Sequence, residues 1–370
     1  MDAVHQDPRN SIVGWWFTAS EIAEALSNGH MLNPSLDLSN PCNLNCPYCY
    51  IEEKDSTRKV RKPHELSHEE TLAVIKDLQA CGAKTINIVG AGEPTIDPHF
   101  KEVIEFIAQA GMKTVLFTNG IQLAHEPWLV GFLYRHNVSV VLKYNSDSEE
   151  IQDLVAGRSG YTKRRDQALE KLQAAGFAAH EPTRLGIDMI VFKGNVAEIP
   201  KIHERCRREN IFPIAAEYIP TGRTEAGQFR GERALLGLSE EQKNRVTRLL
   251  QPISAAERVE LCAKLSEIDR AFGIERAHAC AYFGGAICTQ IIGLYIDIEG
   301  NIWPCVARKK WLGDTLSDGR LGNVRENDKP SVIWKNDPYM KLIRQNFTGG
   351  CPYKAPLVAS LDRPDAERRV

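Results

Sequence analysis

The chain has no run of about 18 apolar residues, so it offers no conventional membrane-spanning helix. Its first residues, MDAVHQDPRN, carry acids early and lack the apolar core of a signal peptide. It has no basic excess either: 46 Lys and Arg against 48 Asp and Glu give a formal net charge of −2 at pH 7. Nothing in the charge therefore advertises a nucleic acid or a membrane as partner. No internal repeat or low-complexity stretch is visible. The expectation is a cytoplasmic globular protein whose 370 residues suit one large domain and a smaller one.

What the sequence does have is cysteine. Ten cysteines in a reducing compartment are expected to meet metal rather than one another. Seven fall into two groups, Cys42, Cys46 and Cys49, and then Cys280, Cys288, Cys305 and Cys351. The other three, Cys81, Cys206 and Cys262, lie on helix-like segments and read as buried structural thiols.

Strand and helix patterns alternate over about 190 residues. After an N-terminal arm (residues 1–31) with a short helix near Ala19 to Leu26, strands are expected at Pro34 to Leu38, Thr85 to Val89, Lys113 to Phe117, Val138 to Leu142, Leu185 to Phe192 and Pro213 to Ile219. Helices lie between them. Ser67-His68-Glu69-Glu70 is a capping box, hydroxyl and carboxylate each satisfying an orphan amide, and the helix it opens closes at Gly82. Phe100, Val103, Ile104 and Ile107 have the three-and-four spacing of one helix face. Alternation of this kind argues for a parallel sheet with right-handed crossovers, either an open doubly wound sheet or an incomplete eight-unit barrel. In both, sites sit where strands end. The rhythm breaks near Thr221; a helical connector (222–279) follows, with helices near Ser239 to Leu250 and Ala255 to Phe272. Next come a hairpin over Leu294 to Trp303 that turns at Glu299-Gly300-Asn301, a helix around Ser331 to Arg344, and a frayed tail (356–370).

The unusual residues fall at the expected strand ends: the cysteine loop after strand one, Gly90-Ala91-Gly92-Glu93-Pro94 after strand two, Thr118-Asn119-Gly120 after strand three. Three clustered cysteines are one short of a structural zinc site, and a zinc reading would have to recruit His64 or His68. An iron-sulfur cluster usually takes four cysteines as well. With three, one iron stays open, as catalytic zinc keeps an open position.

Cys42-Asn-Leu-Asn-Cys46-Pro-Tyr-Cys49 resembles the signature of the radical S-adenosylmethionine (SAM) enzymes. The resemblance implies a [4Fe-4S] cluster on Cys42, Cys46 and Cys49 whose open iron is chelated by the methionine part of SAM. It further implies reductive cleavage of SAM to a 5′-deoxyadenosyl radical. Ala91-Gly92-Glu93-Pro94 is similar to the family's stretch that holds the methionine amino group, with Ala91 in place of its first glycine and Gly90 just before. Tyr48 matches the position whose backbone contacts adenine, and Thr118-Asn119 the polar turn that contributes to SAM binding. Lys143, in the polar run Lys143-Tyr144-Asn145-Ser146 at the end of strand four, and Glu217, at the end of strand six, are candidate catalytic or substrate-binding residues. The fold implied is a partial (β/α)6 TIM-like barrel over residues 32–221.

Cys288, Gly300 and Cys305 resemble the opening of the auxiliary-cluster modules called SPASM and twitch. The rest of the module would be Leu321-Gly-Asn-Val324, the helix after Ser331, and Cys351. The resemblance implies a smaller C-terminal domain (280–355), of the twitch type because the cysteine series is short, with one auxiliary [4Fe-4S] cluster on Cys280, Cys288, Cys305 and Cys351; a four-cysteine zinc hairpin is the alternative. Members with such a cluster frequently carry out two-electron oxidations, using a donor such as flavodoxin or ferredoxin. The expected activity is therefore an oxidative, dehydrogenase-type change on a small natural-product-like molecule, since only 41 residues precede Cys42. Modification of a peptide by cyclisation or epimerisation is the alternative, with Cys206 or Cys262 as a hydrogen-atom donor. A non-enzymatic zinc-binding interaction protein is a third reading.

Overall fold

The computed structural model describes residues 7–49, 60–218, 238–274, 291–312, 315–326 and 328–346. Six strands, β1 (Ser35–Leu36), β2 (Thr85–Ile88), β3 (Lys113–Thr118), β4 (Val138–Lys143), β5 (Leu185–Val191) and β6 (Phe212–Glu217), pair in sequence order, every neighbour parallel. Helix α1 (Ala19–Ser27) precedes β1. The crossovers carry α2 (His68–Ala80), α3 (Phe100–Gln109), α4 (Ile121–His125) with α5 (Pro127–Arg135), α6 (Glu149–Ala156) with α7 (Tyr161–Ala174), and α8 (Ile199–Arg208). This is a partial (β/α)6 barrel whose sheet stays open. The capping box closes as the sequence requires, with Glu70 N bonded to Ser67 Oγ at 3.1 Å and Ser67 N to Glu70 Oε2 at 2.7 Å, an N-cap worth about 1 kcal/mol.

Beyond β6 come α9 (Glu240–Leu249) and α10 (Ala255–Ala271), then β7 (Tyr295–Ile296) and β8 (Asn301–Trp303), the expected hairpin. Gly300 takes φ +78° in its turn, a value that favours glycine. The hairpin joins the barrel sheet: β7 runs parallel to β1, Ser35 opposite Tyr295 and Leu36 opposite Ile296. Strands β9 (Lys309–Leu312) and β10 (Thr315–Asp318) form a separate pair, while β11 (Gly322–Asn323) pairs with β8 and ends the nine-stranded order β11-β8-β7-β1-β2-β3-β4-β5-β6. The single helix expected from Ser331 to Arg344 is two, α11 (Pro330–Asn336) and α12 (Pro338–Asn346). Pro338 lacks the N–H a continuous helix needs and drives Asp337 to φ −59°, ψ 129°.

Strand alternation separates two cores. Leu116, Val140, Leu142, Ile187, Met189 and Ala215 face the helices and join the main buried cluster. The opposite face is filled near the strand starts by the N-terminal arm. Ile12, fully buried, packs with Val115 and Val141 and bridges to Thr183. Val13 O accepts from Ser139 Oγ at 2.7 Å, and Trp15 donates Nε1–H to Asn87 Oδ1 at 2.7 Å while its ring lies 5.7 Å from Phe117 and 6.2 Å from Phe212. The segment read as an arm thus plugs the base of the barrel, leaving its interior open toward the strand ends. No helix among the described residues is long and apolar enough to cross a membrane.

Candidate functional site

The cysteine loop leaves β1 and lies over the ends of β2, β3 and β4. Backbone pairing holds its first part: Gly92 N donates to Ser39 O at 2.9 Å and Glu93 N to Pro41 O at 2.8 Å. A Cβ on Gly92 would lie 2.0 Å from Pro41 O, so this glycine lets the two loops touch. Ala91, where the family pattern has glycine, is buried and packs with Ile298 and the half-buried Cys49. Its methyl group fills space rather than clashing.

Glu93, buried, ties the second motif to the third. Its Oε1 accepts from Thr95 Oγ1 (2.5 Å), Thr95 N (3.2 Å) and Thr118 Oγ1 (2.6 Å), and its Oε2 from Asn119 N (2.8 Å). Burial nonetheless pushes its carboxyl above the ordinary glutamate range, the hydrogen bonds opposing the shift. Asn119 continues the chain of contacts, donating Nδ2–H to Asn43 Oδ1 at 2.7 Å inside the cysteine loop. Gly90, Gly92, Glu93, Pro94, Thr118, Asn119 and the three cysteines are thus brought to one place.

Helix α6, which periodicity missed, holds the middle of the loop. Asn45 N donates to Ala156 O at 3.2 Å, Arg158 donates to Asn43 O at 2.8 Å, and Leu44 packs with Ile121, Ala156 and Tyr161 beside Cys42 and Cys46. The signal was present: Ser148 caps α6 and Glu149 and Glu150 fill its first turn. Tyr48 sends its side chain to β4, where Asn145 Nδ2 donates to its hydroxyl at 2.7 Å and Lys143 Nζ lies 5.6 Å from its ring.

Lys143 faces the barrel interior, on the same side of β4 as Ser139 and Val141, and pairs with Asp188 Oδ2 at 2.7 Å. Asp188 is a site residue the sequence reading lacked; strand register alone places it opposite Lys143. Glu217 does not face the barrel mouth. It shares the side of Ala215, toward the helices, where Arg258 of α10 grips both carboxylate oxygens, one at 3.0 Å. The lone thiols are buried. Cys206, pushed up to about 12 by burial, sits near the end of α8 that leads into the start of β6, opposite the strand ends, which is no place for a hydrogen-atom donor.

Cys42, Cys46 and Cys49 are half-buried and in no disulfide, a soft donor set that suits an iron-sulfur cluster. His68, a possible partner in the zinc reading, is engaged elsewhere: its Nε2 lies 2.9 Å from Glu102, and its ring stacks on His99 at 4.3 Å and 18°. Lone pairs in near-parallel ring planes do not converge on one ion, so this trio is no metal centre. Of the second cysteine group, Cys305 follows β8, half-buried and in no disulfide; Cys280, Cys288 and Cys351 lie outside the described residues. Beside Cys305, Arg308 donates to Tyr295 Oη at 3.1 Å, and Tyr295 donates to the buried Asp37 at 2.5 Å. The hairpin is thereby linked to the strand that feeds the first cysteine loop.

Comparison with known proteins agrees with this geometry. Residues 37–206 match the family described as the radical SAM superfamily. The mycofactocin maturase MftC of Mycobacterium tuberculosis is 24% identical over 320 residues, covering 85% of this chain and 73% of MftC. The probable GTP 3′,8-cyclase of Methanocaldococcus jannaschii is 25% identical over 310 residues, covering 83% and 95%. Among solved structures, Streptococcus suis SuiB bound to S-adenosylmethionine superposes with a TM-score of 0.59 at 16% identity, covering 87% of this chain and 70% of that one; SuiB is also known bound to the precursor peptide SuiA.

Proposed function

The chain belongs to the radical SAM superfamily, and from that premise we propose that it oxidatively matures a peptide, abstracting a hydrogen atom from a side chain that enters the barrel interior from the strand ends. The observation that carries the reading is the site itself, three cysteine thiols on one loop packed between the β3 turn, the end of β4 and α6. When bound, the cluster and SAM would supply an electron and a 5′-deoxyadenosyl radical, the strong hydrogen-atom acceptor. The protein's own residues do the rest. Glu93, Thr118 and Asn119 hold the turn beside the SAM site, Trp15 and Phe117 limit the depth of the interior, and the pair Lys143 and Asp188 offers charge to a polar group of the substrate.

The peptide reading is favoured by the maturase MftC, similar over 85% of this chain, and by the likeness in fold to SuiB, a protein that binds a precursor peptide. A small-molecule substrate is the second reading, favoured by the match to nearly the whole length of the probable GTP 3′,8-cyclase. Under either, the Cys305 loop would help hold an auxiliary cluster that takes up the second electron.

Anaerobically purified, reduced protein with SAM should release 5′-deoxyadenosine, and Cys46→Ala should abolish that release; a Cys46→Ala protein that still cleaves SAM sinks the assignment. Adding short peptides encoded beside the gene, and separately GTP, decides the substrate class. Mass loss of about 2 Da in a peptide supports maturation, whereas turnover of the nucleotide alone replaces that reading with the second.

A further inference from the structure

Just beyond the end of β4 lies a residue each of whose four polar groups has a hydrogen-bond partner. Asn145 is fully buried. Its N–H donates to Gln152 Oε1 at 2.7 Å, its carbonyl accepts from Asn195 Nδ2 at 2.7 Å, and its Oδ1 accepts from Ile190 N at 3.0 Å. Because Oδ1 is bound to a backbone N–H, the amide cannot be turned over without setting two donors against each other. Its Nδ2 is left facing outward at a fixed point, and there it meets the hydroxyl of Tyr48 at 2.7 Å.

Tyr48 stands between Cys46 and Cys49. Its ring leaves the loop and packs on the cluster of Leu154, Val155, Phe192 and Tyr218, so its hydroxyl is the point where the second half of the cysteine loop is latched to β4. The first half is fastened elsewhere, by Asn119 on Asn43 and by Ala156 on Asn45. β4, β5 and α6 converge on Asn145, and through one hydroxyl they reach the turn that carries two of the three thiolates.

Building on the radical SAM reading, we infer that Asn145 is a positioning residue for the SAM-binding cluster: through the Tyr48 hydroxyl it fixes the Cys46 to Cys49 turn and so sets the cluster's electronic environment and its response to SAM. The role belongs to the side chain of Tyr48, separate from any backbone contact at that residue. Tyr48→Phe removes one oxygen and leaves the packing intact. Asn145→Ala removes the donor and also the bond to Ile190.

The test uses the full chain, reconstituted with iron and sulfide and reduced with dithionite, and reads electron paramagnetic resonance with and without SAM; only a cluster with an open iron responds to SAM. Tyr48→Phe should keep the wild-type melting temperature within a few degrees and its iron content. It should also show altered g-values in the SAM-responsive signal and about tenfold slower release of 5′-deoxyadenosine. A purely structural role would move the melting temperature and leave the signal of the folded fraction unchanged. Wild-type spectra and rates in Tyr48→Phe overturn the inference, whether or not Asn145→Ala folds. A wild-type protein without any SAM-responsive signal overturns the radical SAM reading itself and the inference with it.

Discussion

Asp37 shows at the scale of one residue how burial and function meet. It follows β1, five positions before Cys42, and is 1% exposed. Its carboxyl is pushed up to about 7 by burial, against the Tyr295 hydroxyl, Arg308 and the Gly90 amide, which favour the charged form; Asp297 adds to the rise. The unfolded chain ionises near the ordinary value of 3.8. Between about pH 4 and 7 the folded state therefore keeps a proton that the unfolded state releases, and stability falls as pH rises through that window. The total is on the order of 4 kcal/mol at most, because each tenfold change in proton affinity is worth about 1.4 kcal/mol. Asp37→Asn removes the titration while keeping an acceptor for Tyr295. Urea midpoints of wild type should drop between pH 5 and 8 relative to those of Asp37→Asn; parallel curves for the two proteins would refute the account. No pattern in the sequence announces this carboxyl, because the hairpin that covers it, with its tyrosine and arginine partners, lies more than 250 residues away.

At the scale of elements, α6 is the support the cysteine loop leans on. Gly157 ends it at φ +63°, and a Cβ there would lie 2.1 Å from Asn45 O. Gly111, after α3, has φ +76° with nothing within 4 Å of its Cβ position. Alanine at either site incurs the left-handed backbone cost of about 1 kcal/mol, but only Gly157→Ala pushes on the loop. Both variants should lose similar stability from backbone strain. Gly157→Ala should lose further stability and, by iron-to-protein ratio after reconstitution, bind less cluster, whereas Gly111→Ala should load like wild type. Equal loading in the two would show that the loop does not depend on α6. The sequence made the six strands legible because buried parallel strands are short apolar runs punctuated by glycine. It hid α6, only eight residues long, and it hid the break at Asp337-Pro338, where apolar spacing runs on across a residue that cannot continue a helix.

Across the described residues, one nine-stranded sheet carries both the three-cysteine loop, which follows β1, and Cys305, which follows β8. The sequence told the three-cysteine site plainly, since its residues are contiguous, but not the plug by Ile12 to Trp15, the inward-facing Asp188 or the outward turn of Glu217, which depend on strand parity and on partners from distant segments. The parallel pairing of β7 with β1 belongs to the same class: it makes the hairpin before Cys305 a continuation of the barrel, braced by Tyr295 and Arg308 against Asp37. If Cys305 helps hold an auxiliary cluster, iron analysis of anaerobic protein should give about eight irons per chain, and Cys305→Ala should lower that to about four. Because the first loop is held by contacts of its own, to Gly92, Glu93, Asn119, Ala156 and Asn145, the Cys305→Ala protein should still release 5′-deoxyadenosine from SAM, at a rate within a few-fold of wild type, while losing the proposed net oxidation of substrate. Unchanged iron in Cys305→Ala would remove that residue from the ligand set. Loss of SAM cleavage together with the iron would instead mean that the hairpin, through Tyr295 and Asp37, is a structural requirement of the first site.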